Sequence, residues 1–126
     1  MKTTVNTDNA PAAIGTYSQA VIHNGTLFTS GQIPIDPATG EMLEHDFEIQ
    51  AHQVFKNLIA IAEAAGTSLQ NAIKLNVFVQ DLENFAALNT IMGQYIQEPY
   101  PARAAIQAAR LPKDSMIEID AIIAME

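Results

Sequence analysis

The chain has 126 residues, 48% of them apolar and 16% charged, enough to bury one real core in a soluble globular protein. Six Lys and Arg stand against fourteen Asp and Glu, a formal charge of −8, and without any basic run this argues against a nucleic-acid footprint and against an anionic membrane surface. Cysteine is absent, which removes disulfides, thiolate nucleophiles and thiolate metal sites.

The opening "MKTTVNTDNAPAA" has one lysine and no apolar centre, unlike a secretory signal. No apolar run is long enough to span a bilayer. A cytoplasmic location is therefore expected, with residues 1–126 read as a single domain because no linker, repeat or low-complexity tract interrupts them. "AVIHNGTLFTSG" alternates on both sides of Asn24-Gly25, the pattern of a hairpin with a type I′ turn. The prolines of "IPIDPATGE" make it a loop.

"HDFEIQAHQVFKNLIAIAEAAG" repeats apolar residues at helical spacing through Phe47, Ala51, Val54, Leu58, Ile61 and Ala65, with Gly66 suited to a left-handed stop. Glu44, Asp46 and Glu48 suit the start of that helix and its dipole. "NAIKLNVFV" places Ile73, Leu75, Val77 and Val79 on one face of a strand. Asp81 is a helix N-cap candidate, followed by Phe85, Leu88, Met92 and Ile96 on one helical face. Two strands close the chain. In the last, Ile117, Ile119, Ala121 and Ile123 face the helices, and Glu118 and Asp120 face away. The order strand-strand-helix-strand-helix-strand-strand describes an α+β layer, with two helices over one sheet face. The other face carries Phe28, Ala104 or Ala105, and Ile106, and its apolar character predicts self-association.

Arg103 and Glu118 are charges within otherwise apolar strands, where an unpaired charge is costly. Alternation puts Arg103, Ala105 and Gln107 away from the helices. If the last two strands form a hairpin around "RLPK", Arg103 and Glu118 share a face, either as diagonal neighbours or two residues further apart. One reading is a cross-strand ion pair of Arg103 with Asp120 or Glu118, of little energetic weight if exposed. The other is a site where the arginine fork holds a small carboxylate and the glutamate handles a proton or a water. Periodicity does not choose between them. His23, His45 and His52 have no compact ligand spacing and are expected at the surface.

"APAAIGTYSQA", "SGQIPIDPATGE", "VFVQDLENFAALN", "PARAAIQAARLPKD" and "IEIDAII" follow one another along nearly the whole chain. Together they resemble the RidA, or YjgF, family of reactive-intermediate deaminases. The resemblance implies a chorismate-mutase-like mixed sheet with two helices on one face, assembled as a homotrimer with sites between subunits. It implies hydrolysis of 2-imino acids and enamines, such as 2-iminopropanoate and 2-aminoacrylate, to 2-keto acids and ammonia, with no cofactor and no metal. The implied partners are the small imino or keto acid and two further copies of the chain, not nucleic acid or membrane.

Residue by residue, the resemblance makes Arg103 the carboxylate clamp and Glu118 the group that orients water. Tyr17 lines the cleft. Ser30 and Gly31 supply polar and backbone contacts, Ala105 presents main-chain groups, and Asn89 supports the cleft. Three departures stand out. Thr16 replaces a common proline, so the Tyr17 loop is expected to be looser. Ala105 replaces a common cysteine, and "QEPYPAR" is shorter than in close enzymatic relatives. Two other readings remain: a non-catalytic sensor of small carboxylates, which needs Arg103 but not Glu118, and a ribonuclease or translation inhibitor, which the charge of −8 opposes.

Overall fold

The computed structural model describes residues 1–126. Its strands are β1 (Thr3–Val5), β2 (Ala20–His23), β3 (Thr26–Thr29), β4 (Ile35–Asp36), β5 (Glu41–Met42), β6 (Ala72–Val79), β7 (Ala102–Gln107) and β8 (Ile117–Ala124), and its helices α1 (Phe47–Ala65) and α2 (Phe85–Tyr95). Six strands form one mixed sheet in the order β1-β2-β3-β8-β6-β7, with β4 and β5 in a separate two-stranded ribbon inside the proline-rich loop. No helix is long and apolar enough to cross a membrane.

Local chemistry accounts for most of these elements. Asn24 and Gly25 have φ of 51° and 72°, and His23 pairs with Thr26, the geometry of the two-residue I′ turn. Asp46 caps α1 by accepting from the Ile49 N–H at 3.1 Å, and Gly66 ends it at φ 90°. Asp81 caps a single 3₁₀ turn at Leu82–Asn84 instead of α2 itself, which starts at Phe85. Ile96 is buried but lies just beyond the helix, as its C-cap.

Both helices cover the face formed by Leu75, Val77, Val79, Ile117, Ile119, Ala121 and Ile123, all within a contiguous cluster of 23 buried residues. Phe28, Phe78, Ile106 and Ile122 lie on the opposite, uncovered face, with Phe28 and Ile106 exposed. The expected alternation of β6 fails at one position. A register shift between Ala72 and Lys74 leaves Ile73 as the extra residue of a bulge, 49% exposed, because a bulge reverses which side chains face the core.

The larger difference concerns the last two strands. They do not form a hairpin. β6 lies between them, paired parallel to β7 and antiparallel to β8. Arg103 is level with Leu75, and Ala105 with Val77, so Arg103, Ala105 and Gln107 share the helix-facing side, contrary to the expectation from alternation. The Ala-rich strand "ARAAIQ" lies at the sheet edge with little buried, so its apolar residues carry no reliable sign of which face is inward. The segment around "RLPK" is a crossover past β6, with a 3₁₀ turn at Pro112–Asp114.

The bulge separates Ile73 and Leu75, two residues apart, in their energetic weight. Leu75→Ala is expected to cost about 2–5 kcal/mol, the range for a buried leucine, and Ile73→Ala less than about 1 kcal/mol. Urea unfolding measures both; equal costs would contradict the bulged register.

Candidate active site

Arg103 reaches over β7 to α2. Its Nη1 donates to Asn89 Oδ1 at 2.6 Å and contacts Met92 Sδ at 3.7 Å, and its Cζ lies 4.9 Å from the centre of the Phe85 ring. Helical spacing explains the cradle: Phe85, Asn89 and Met92 fall at i, i+4 and i+7 on one face of α2. No carboxylate pairs with Arg103, since the chain's one ion pair joins Arg110 to Asp114. The guanidinium opens into a cavity of about 490 Å³, bordered by Asn89, Gly93, Tyr100 and Pro101. A planar fork held at one nitrogen and free elsewhere is suited to a two-point grip on a carboxylate.

Glu118 lies in a different cleft, of about 420 Å³, with Tyr17, Ser30, Gly31, Pro112 and Lys113. It projects from the uncovered sheet face, level with Phe78. Two backbone hydrogen bonds between Gln32 and Ile119, at 2.8 and 3.1 Å, draw the chain at Gly31 against it. A Cβ at Gly31 would lie 2.9 Å from Glu118 Cδ, so only glycine leaves the carboxylate its place. Burial first, and then the charge of Asp120, push the Glu118 carboxyl above its usual range. Asp120 is itself held by the Asn76 side-chain amide at 2.8 Å. The ion-pair reading is therefore wrong: Asp120 binds Asn76, and Arg103 binds the α2 cradle.

Tyr17 is half-exposed on the loop before β2, its ring packed on Gly15 and its hydroxyl weakly accepting from the Ile14 N–H at 3.5 Å. The buried Gln19 ties down the base of this loop: its Oε1 accepts from Thr7 N–H at 2.7 Å, and its Nε2 donates to the carbonyls of Thr7, Ala10 and Pro11. Ser30 Oγ donates to the Ser18 carbonyl at 2.6 Å and its N–H to the Gln19 carbonyl. Ala105 is half-buried on the edge strand. Because the Ala108 N–H points to Val79 on β6, alternation turns the backbone groups of Ala105 and Arg103 to the free edge.

The proposed residues thus fall into two groups. Arg103, Asn89 and Ala105 lie on one side of the sheet, at its β7 edge. Glu118, Tyr17, Ser30 and Gly31 lie on the other side, two strands away. Of the histidines, His23 and His45 are exposed, but His52 is half-buried and shares a 2.6 Å hydrogen bond with the Tyr95 hydroxyl. No three His, Asp or Glu side chains converge as a metal-ligand set.

A family model described as Endoribonuclease L-PSP matches residues 7–125. The chain is 49% identical over 122 residues to a RutC family protein of Pyrococcus horikoshii, and 47% identical over 125 residues to the 2-iminobutanoate/2-iminopropanoate deaminase of Salmonella typhimurium, in both cases covering 97% of each chain. Its fold superposes on RidA from the Antarctic bacterium Psychrobacter with a TM-score of 0.94 at 52% identity, covering 97% of this chain and 98% of that one. The chain belongs to the RidA family. Within that family frame, sequence reading had passed over Phe85 and Met92 in the arginine cradle, Gln19 and Gln32 as anchors of the Glu118 cleft, and Lys113 at its rim. Gln19 and Gln32 do fall inside the motifs that carry the RidA resemblance, which was their available signal.

The Glu118 environment has a measurable consequence. Its folded-state pKa is raised, so the native state holds the proton more tightly than the unfolded chain. The resulting stabilisation is full below the unfolded value and is lost as pH rises through the folded value. Glu118→Gln removes a charge penalty present at neutral pH. Its melting temperature should exceed wild type at pH 7, and the excess should shrink as pH falls toward the ordinary glutamate range. A pH-independent difference would contradict the raised pKa.

Proposed function

We propose that this RidA-family chain hydrolyses 2-imino acids and their enamine tautomers, such as 2-iminopropanoate and 2-aminoacrylate, to 2-keto acids and ammonia. The site we assign is a cleft completed by a second copy of the chain within a homotrimer. The observation that carries this reading is the division of the charged groups into two incomplete halves, an unpaired arginine fork at the β7 edge and a desolvated carboxylate on the uncovered face. The exposed apolar side chains beside that face, Phe28 and Ile106, support its burial by another subunit. The activity in the name of the Salmonella relative supports the reaction class.

In this assignment Arg103 grips the substrate carboxylate, with Asn89 fixing the fork and the Ala105 backbone beside it. Tyr17 closes over the ligand, and Ser30 and Gly31 border the attacking water. Glu118 takes a proton from that water as its oxygen bonds to C2 of the protonated imine. The tetrahedral adduct then expels nitrogen: Glu118 returns the proton to the amine, the C2–N bond breaks, and ammonia leaves as the C2 hydroxyl becomes the carbonyl and gives its proton to the freed Glu118 carboxylate. One imino acid and one water give one keto acid and one ammonia. The imine is already electrophilic, so position and a proton acceptor supply the catalysis. A raised Glu118 pKa suits a group that both takes and returns the proton.

A sensor of small carboxylates is the second reading. It is favoured by one observation, that the Arg103–Asn89–Phe85 cradle forms within one chain without Glu118. The ribonuclease sense of the family description is opposed by the charge of −8, and nucleic acid is not among the partners we propose.

The test follows imine generated in situ by an amino-acid oxidase, with uncatalysed hydrolysis subtracted. Glu118→Gln should lower turnover by roughly 10²–10⁴-fold while keeping pyruvate affinity; unchanged turnover would favour the sensor. Arg103→Lys keeps charge but loses the fork, and should lose most activity, with Arg103→Ala also losing pyruvate binding by calorimetry. Light scattering should give three times 13.6 kDa; a monomer at micromolar concentration would contradict the shared cleft.

A further inference from the structure

The crossover between β7 and β8 carries a cation that the proposed reaction does not use. Lys113 lines the Glu118 cleft together with Pro112, Tyr17 and Gly31. Its acidic neighbour is already engaged: Arg110 holds Asp114 through Nε at 2.7 Å and Nη2 at 3.3 Å, in the chain's one ion pair. Lys113 is therefore an unpaired ammonium at a cleft in a chain with six cationic side chains against fourteen acidic ones.

Its backbone is unusual as well. Lys113 and Asp114 have φ of 56° and 57°, two consecutive non-glycine residues in the left-handed region, which L side chains disfavour. The turn is held in that shape by the Asp114 N–H to the Leu111 carbonyl at 3.0 Å and the Ser115 N–H to the Pro112 carbonyl at 3.1 Å, by the Arg110 fork, and by burial of Leu111 and Ser115 on either side. Backbone strain that is over-determined in this way tends to cluster at ligand sites. Glu118 lines the same cleft of about 420 Å³, and no ion pair joins it to Lys113.

We propose that Lys113 forms a subsite for a second anionic group, the side-chain carboxylate of a diacid imine or of the 2-keto diacid that it yields. The proposal rests on the reading of this cleft as an imino-acid site. It adds a substrate class: with Arg103 on the C1 carboxylate and Glu118 at C2, Lys113 receives the far end of a five-carbon diacid. A monocarboxylate of four carbons leaves it unused.

The test compares imines generated in situ from glutamate and from 2-aminobutyrate, and calorimetric binding of 2-oxoglutarate and 2-oxobutanoate. Wild type, Lys113→Asn and Lys113→Arg are used. Asparagine tolerates the left-handed backbone while removing the charge, so folding is kept, as a melting curve checks. The ratio of kcat/KM for the diacid over the monoacid imine should fall about tenfold in Lys113→Asn, mainly through KM, the effect of losing one charge-assisted contact. Lys113→Arg should restore the ratio, and added salt should erode it in wild type. Affinity for 2-oxoglutarate should fall in parallel, relative to 2-oxobutanoate. Equal ratios and equal relative affinities in wild type and Lys113→Asn would overturn the subsite. Should wild type hydrolyse neither imine, the deaminase reading fails, and the binding comparison alone then decides the subsite.

Discussion

The insertion of β6 between β7 and β8 separates the two charged side chains on which the proposed chemistry turns. Had the last two strands paired directly, Arg103 and Glu118 would share one face of the sheet, where they could pair with each other. With β6 between them, Arg103 is level with Leu75 and turns toward α2, while Glu118 is level with Phe78 and turns away from the helices. Neither finds an oppositely charged partner in its own chain. An unpaired fork and an unpaired carboxylate are each poor for stability and useful for binding. In the proposed assignment the sheet order leaves both charges for a ligand, and a second subunit unites them.

The rest of the fold supports these two positions with short-range devices. On one side, α2 supplies an amide, a thioether and a ring at helical spacing, and these fix the guanidinium plane. On the other, the Gln32–Ile119 bridge brings a glycine backbone to the glutamate, and Gln19 anchors the loop that carries Tyr17. Asn76 holds Asp120, whose charge adds to burial in raising the Glu118 pKa. Each of these devices is uncharged, in keeping with a cleft proposed to accept a charged ligand.

Much of this was legible in the sequence, and the exceptions have physical causes. Asn24-Gly25 announced its turn because few dipeptides accept two positive φ values. The α1 stripe and the β8 alternation were readable because both elements are buried on one face over many residues. The strand β7 was readable, but its inward face and its partner were not, since an edge strand of alanines has no strong inward face and its parallel partner is separated from it by α2. The Ile73 bulge was hidden because an inserted residue keeps its apolar character while changing sides. In the site, the family motifs named Arg103, Glu118, Tyr17, Ser30, Gly31, Ala105 and Asn89, but not their division between two clefts. That division depends on strand order, which no local pattern encodes. Phe85 and Met92 read in the sequence as members of one apolar helical face, and helical spacing alone does not distinguish an arginine cradle from core packing.

The central claim is that Arg103 of one subunit works with Glu118 of another, and subunit mixing tests it most directly. Arg103→Ala and Glu118→Gln chains, each nearly inactive alone, are unfolded, combined in equal amounts and refolded together, and the imine-hydrolysis rate is compared with that of each variant refolded separately. Random assembly places an intact arginine beside an intact glutamate at roughly a quarter of the subunit interfaces of a cyclic trimer, so the mixture should recover about that fraction of wild-type activity. A mixture that assembles as mixed trimers and stays as inactive as its components would show that both groups must come from one chain, and would contradict the account.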